Sequence, residues 1–357
     1  MVNPPYTVLL IIPTGIGAAM GGYAGDALPV AKAIASTCDF LVTHPNVLNG
    51  AAMYWNIPNA LYVEGYALDR FAAGDWGLRP VRSNRISLVF DRAIEDELRQ
   101  RHLQVADAAR ATLGLELTDY IITDAPLDVT LQPGGSQASW GTIGNPDSLL
   151  RAAESAIAEA GAEAIAVVAR FPDDSDSQVL QDYRQGRGID PIAGVEAIIS
   201  HLVVRTFCVP CAHSPALQPL PLDPHISPRS AAEELGYTFL PCVLVGLSRA
   251  PQFISRTISK TSRRTSDLYS DRINTAIVPA TACGGSAILK LSETKTRIIA
   301  VNDNTTQMRS PPELLKIPAI RVNSYLEAMG AIVAHRSGVS LESLQPTVLP
   351  LRSLSER

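Results

Sequence analysis

For most of the chain, short unbroken apolar runs alternate with stretches whose apolar positions recur every three or four residues. The runs at 8–12, 40–43, 60–63, 86–90, 120–123 and 164–169 predict strands, and those at 275–278 and 297–301 continue the series. Several lack polar alternation, the pattern of strands covered on both faces. The helical patterns between them have readable ends. Asp26 predicts an N-cap for a helix over 27–36, with Pro29 in the first turn, where a missing N–H costs little. Asn145 and Pro146 open another, in which Leu149, Ala153, Ile157 and Ala160 share one face until Gly161. Ile94, Leu98, Val105, Ala109 and Leu113 form a third stripe, and His102 on that stripe reads as a packing residue. Strand–helix alternation predicts an α/β protein with a doubly wound, mostly parallel, Rossmann-like sheet. It forms a single unit over 1–357 or two tightly joined lobes, 1–150 and 190–357.

Two segments interrupt this rhythm. Residues 208–229 hold six prolines and are expected to be irregular, as functional loops often are. Residues 255–275 are rich in Ser and Thr, with Arg256, Lys260, Arg263, Arg264 and Arg272 against Asp267 and Asp271. That composition favours a mobile surface segment over a packed one, either a lid over an anionic ligand or a plain insertion.

Composition narrows the partners. At 357 residues, 46% apolar and 18% charged, the chain has the balance of a soluble protein with one large core or two joined ones. A formal charge of −5 gives no reason to bind nucleic acid or an anionic membrane. No apolar run approaches the roughly 18 residues of a membrane span, and the first seven residues lack the basic start of a secretion signal. Five scattered cysteines make no disulfide framework. The expectation is a cytoplasmic protein whose partner is a small-molecule ligand, not nucleic acid or a membrane. No cofactor or oligomeric state is implied.

The candidate chemistry sits where strands end. The first strand runs into Pro13, Thr14, Gly15, Gly17, Gly21, Gly22 and Gly25, five glycines in eleven residues. Such a loop is either an anion or nucleotide cradle at a strand–helix junction or a packing turn. Its spacing is neither a dinucleotide fingerprint nor a P-loop. The second strand ends in Thr43, His44, Pro45, Asn46 and Asn49, whose side chains can face the crevice at a sheet's carboxyl edge. Glu64, Asp91 and Asp124 end further strands on the same rim. Ser136 and Ser139 lie in a Gly-rich connection that reads as a binding loop, since no neighbouring base activates a serine there.

Glu196, His201, Cys208, Cys211 and His213 offer one half of a zinc site without a second half. On a helix Glu196 and His201 point about 140° apart, so no metal is expected. His213 follows a strand-like 207–210 and is a second rim imidazole. Cys283, Gly284, Gly285 and Ser286 form another strand–loop–helix junction, where the helix dipole could lower a thiol's pKa. A small residue filling a tight corner explains Cys283 equally well.

Taken together, Pro13-Thr14-Gly15-Ile16-Gly17, Thr43-His44-Pro45-Asn46, Gly194-Val195-Glu196-Ala197, Ala212-His213-Ser214-Pro215 and Val245-Gly246-Leu247-Ser248-Arg249 resemble a bacterial family of uncharacterised proteins, well represented in cyanobacteria. The resemblance covers nearly the whole chain and implies no particular activity. A weaker similarity, to two-domain nucleotide-sugar glycosyltransferases, rests on Gly25-Asp26-Ala27-Leu28-Pro29 and the loop and helix after Cys283. The chain departs from that pattern at Thr294-Lys295-Thr296.

The sequence therefore points to an enzyme acting on a small anionic metabolite in a crevice lined by Gly-rich loops. His44 and His213 are the acid/base candidates and Cys283 the nucleophile. Thr14, Gly15, Gly17, Gly21, Gly22, Asn46, Asn49, Gly284, Gly285 and Ser286 are the ligand-binding candidates. The alternatives are a non-catalytic metabolite-binding or sensory protein and a nucleotide-sugar-dependent transferase.

Overall fold

A computed structural model describes residues 4–21, 27–49, 52–132, 138–173, 177–235, 239–255 and 264–351. Its strands are β1 (Thr7–Leu10), β2 (Phe40–Thr43), β3 (Ala60–Tyr62), β4 (Trp76–Arg79), β5 (Ile86–Phe90), β6 (Ile121–Ile122), β7 (Val129–Gln132), β8 (Trp140–Ile143), β9 (Ala164–Arg170), β10 (Cys211–Ala216), β11 (Gln252–Ser255), β12 (Ile273–Pro279), β13 (Arg297–Val301) and β14 (Ala319–Val322).

Six of them form one parallel sheet in the order β14-β13-β12-β1-β2-β3. Ranked by their sequence within that sheet, the order is 3-2-1-4-5-6, the doubly wound arrangement whose direction reverses beside the first strand. The chain between β3 and β12 builds a second parallel sheet, β10-β9-β5-β6. The hairpin β7–β8 and the antiparallel pair β4–β11, whose strands lie far apart in the chain, add two further strand pairs. The fold is α/β and Rossmann-like, as the alternation of strands and helices predicts.

Unbroken apolar strands have a simple consequence here. In β1, Leu9 faces one apolar layer while Val8 and Leu10 face the other. In β9, Ile165 and Val167 join the first layer, and Ala164, Ala166 and Val168 join the second. Both layers run through both sheets. Each fully buried Leu, Ile or Val contributes roughly 1.5–3 kcal/mol.

The proline-rich segment is partly regular. The helix Ala193–Phe207 ends where the strand-like 207–210 is expected to begin, and Cys208 closes it with a left-handed φ of 56°. The strand begins after it, at Cys211, and contains Pro215. β10 is an edge strand that pairs only with β9, so the missing N–H of Pro215 is tolerated. Of the basic segment, Arg256, Lys260 and Arg263 lie outside the described residues. The part beyond them is packed: Asp267 is fully buried and bonds Arg79 at 2.8 Å, and Leu268 pairs with Leu78. Asp26 also lies outside the described residues.

Candidate functional site

The loop after β1 and the turn after β2 stand side by side because their strands are parallel neighbours. Facing them is the helix Ala193–Phe207, which packs on β10. Between them opens a cleft of about 810 Å³, mouth included. Ala193, Glu196, Ala197, Ser200 and His201 line it, so one helix supplies two small residues for access and three polar side chains.

His44 precedes the short helix Pro45–Leu48, and its extended backbone turns the ring back toward β1. The Ile12 N–H donates to its Nε2 at 3.1 Å. Burial pulls the His44 pKa down to about 4, so the ring is neutral at pH 7.

Glu64 ends the segment after β3 and caps the helix Gly65–Ala72. One carboxylate oxygen accepts from Tyr66 N at 2.8 Å and Ala67 N at 3.2 Å. The other bonds His201 Nε2 at 2.9 Å. Burial lowers the His201 pKa, but Glu64 outweighs it and raises the balance above the ordinary value.

His213 sits in β10 with Nδ1 2.6 Å from Ser200 Oγ and Nε2 3.6 Å from Glu196.

At the far side, Asp190 accepts from Ile192 N at 3.0 Å, and the Tyr183 hydroxyl donates to Glu233. Burial, then the fields of Glu233 and Glu196, raise Asp190 well above the carboxylate range. Burial, then Glu196, pushes Glu233 up to about 7. Arg184 does not neutralise this group, since it is paired with Glu234 at 2.6 Å. Among the described residues, no three His, Cys, Asp or Glu side chains are arranged to hold a metal ion.

Of the sequence candidates, His44, His213, Thr14, Asn46 and Asn49 line this cleft. Asn46 also ties the first loop down: it donates to Gly21 O and accepts from Thr14 Oγ1 at 3.4 Å. Asn49 accepts from the Tyr62 hydroxyl at 2.6 Å. Gly15 and Gly17 are not among the lining residues. Gly15, at φ +68°, lets Ser139 approach so closely that a Cβ would lie 2.6 Å from its Oγ. Ser139 N in turn bonds Gly15 O at 2.9 Å, and Ser139 Oγ accepts from Gly194 N at 3.0 Å. The first glycine loop thus docks the hairpin and the cleft helix. Gly22 lies outside the described residues.

Cys283, Gly284, Gly285 and Ser286 are not among the lining residues. Cys283 is fully buried, and burial pushes its thiol up to about 11, the reverse of an activated nucleophile. The helix Ser286–Ser292 already has a carboxylate at its start: Asp69 accepts from Ala287 N at 3.1 Å and bonds the Ser286 side chain. Asp91 and Asp124 serve the structure, bonding Ala93, Leu127 and Arg170 backbone N–H groups in one case and Arg151 in the other.

Asp190, Ser200 and Glu233 went unnoticed in the sequence, and Glu196 was weighed only as a metal ligand. Glu196 and Ser200 share a helix face at i, i+4 spacing, a readable signal. Asp190 and Glu233 are brought to the cleft by tertiary packing alone.

Among the described residues no helix is long and apolar enough to cross a membrane. An uncharacterised lipoprotein of Synechococcus sp. is 58% identical over 346 residues, covering 97% of this chain and 95% of that protein. No solved structure matches the chain. The family described as protein of unknown function, DUF3326, matches residues 7–345. With that span and so close a relative, the chain belongs to the DUF3326 family.

Proposed function

We propose that the protein is an enzyme performing general acid–base chemistry on a small, polar molecule in this cleft. The observation that carries the reading is Glu233, a buried carboxyl whose pKa lies at about 7, beside Asp190, which burial also raises well above the carboxylate range. Groups poised near neutrality exchange protons most effectively, and such shifts concentrate at functional sites. Two carboxylate–imidazole pairs, Glu64–His201 and Glu196–His213, flank them and supply further proton carriers.

The charge of the lining argues against the anionic metabolite that the glycine loops suggest. Four carboxyl groups and no Lys or Arg stand among the described lining residues, so an uncharged or cationic molecule suits the cleft better. A nucleotide-sugar transferase loses its main support for the same reason, together with the carboxylate that occupies the late helix start.

Five free thiols support a reducing compartment such as the cytoplasm. The printed name of the Synechococcus relative, a lipoprotein, supports a lipid-anchored location instead. Fractionation of the native host decides between them.

The enzyme reading is tested by screening the full chain for binding with neutral sugars, polyols, amides and amines, then measuring turnover of the hits. Glu233→Gln should keep binding and lower kcat about 10²–10⁴-fold, the usual scale for a lost acid/base. Binding with no turnover in the wild type would sink the enzyme and favour a sensory or carrier protein.

A further inference from the structure

We propose that His44 presents its Nδ1–H to the cleft as the hydrogen-bond donor for a carbonyl oxygen, which makes the ligand a carbonyl compound. The inference deepens the acid–base reading and rests on it for the identity of the cleft.

A backbone amide has one role only, to donate. Because Ile12 N–H points at Nε2 from 3.1 Å, that nitrogen must carry its lone pair, and the ring's single proton must sit on Nδ1. A protonated ring would set two N–H groups against each other inside the protein. Burial works in the same direction, since it lowers the His44 pKa to about 4. The Nδ1–H has no partner among the described residues, although the residue is buried and lines the cleft. Nδ1 is not among the described buried atoms left without a partner, so it is reached from the cleft, where a ligand oxygen can take the place of water.

The acids around it do not serve as that acceptor. Glu64 is held by two backbone N–H groups and His201, and Glu233 is bonded by Tyr183. The other titratable groups lining the cleft are Asp190, Glu196, His201 and His213, none of which bonds His44. A donor that cannot lose its proton at neutral pH is suited to polarising a carbonyl, as neutral histidines do in carbonyl isomerisation. In the step this allows, a cleft carboxylate takes a proton from the carbon beside the C=O. The C–H pair becomes the new C=C bond and the carbonyl π pair moves to oxygen, where His44 holds the developing charge without transferring its proton.

The test uses the full-length protein labelled with ¹⁵N at histidine. His44→Gln assigns the His44 signals among the six histidines, and because Gln places its oxygen near the Nε2 position it keeps the Ile12 bond while leaving no N–H at the Nδ1 position. Expected are an Nδ1–H tautomer unchanged from pH 8 to pH 5 and an Nδ1 shift on adding acetamide but not methylammonium. Acetamide should bind His44→Gln about 3- to 10-fold more weakly, the scale of one neutral hydrogen bond. An Nε2–H tautomer, a titration near the ordinary histidine value, a response to methylammonium alone or an unchanged acetamide affinity would each overturn the proposal. If His44→Gln does not fold, the tautomer and the acetamide response of the wild type still decide. A correct tautomer and acetamide response in a protein that turns nothing over would leave this inference standing and remove the enzyme reading.

Discussion

Replacing His44 with Gln should flatten the acid limb of the protein's stability, by an amount that follows from burial of the ring. In the fold the pKa is about 4, against an ordinary value of 6.5. Between those values the unfolded chain binds a proton that the folded protein refuses, so unfolding gains as pH falls. The depressed folded pKa means that the stability is present above pH 6.5 and is lost as pH drops toward 4. A gap of about 2.5 units corresponds to about 3 kcal/mol. Gln does not titrate and keeps an acceptor for Ile12 N, so its curve lacks this loss. Urea unfolding of both proteins at half-unit steps from pH 7.5 to pH 4 gives the comparison. Asp190 and Glu233, whose pKa values are raised, tilt both curves the opposite way and cancel in the difference. At pH 4 the wild type should have lost about 3 kcal/mol relative to the variant. Parallel curves would show that His44 protonates freely in the folded state, and the fixed-donor argument would fall with them.

Two further substitutions test the supports of the cleft. Glu64→Ala removes the cap on the helix Gly65–Ala72 and the partner of His201, and should cost about 1–3 kcal/mol in chemical unfolding. It should also lower the His201 pKa measured by NMR. The stability that the wild type holds below the ordinary histidine value, and loses as pH rises through the raised one, then disappears; an unmoved His201 would contradict the pairing. Gly15→Ala forces a Cβ onto Ser139 at a φ of +68° and should cost about 1–3 kcal/mol. Full stability in that variant would return the first loop to the role of an open ligand cradle.

The core strands were legible because covering both faces leaves a strand no polar positions. The strands read at 40–43, 86–90 and 297–301 are those the fold forms, the other core strands read differ only at their ends, and the strand-like 207–210 instead falls on a helix end before β10. Among those that escaped are strands whose composition argues against them. β10 contains His213 and Pro215, and only its position at the edge of a sheet makes them admissible. The hairpin β7–β8 is short and Gly-flanked, and its strands pair with each other instead of joining either large sheet. The glycine loops were misleading for a related reason. Backbone freedom serves close packing as readily as ligand approach, and at Gly15 the neighbour is Ser139, which is more than a hundred residues away along the chain.

The cleft was half legible, and the division follows the topology. His44, Asn46 and Glu64 lie just beyond the carboxyl ends of consecutive parallel strands, so their common edge could be inferred from strand order alone. Asp190, Glu196, Ser200, His201, His213 and Glu233 all come from the stretch between β3 and β12 that builds the second sheet. No local pattern states that this stretch turns one helix, one edge strand and the helix Pro228–Glu234 toward the first sheet's edge. Yet the chemistry depends on that meeting. The Rossmann-like sheet alone offers a neutral imidazole, amides and one carboxylate that caps a helix. The inserted stretch brings the crowded carboxyls, and burial first, then the field of Glu196, raises Glu233 to about 7. On the proposed reading, the proton-exchanging capacity therefore belongs to the junction of the two sheets, with the first sheet fixing the donor at His44 and the second supplying the groups that can move a proton.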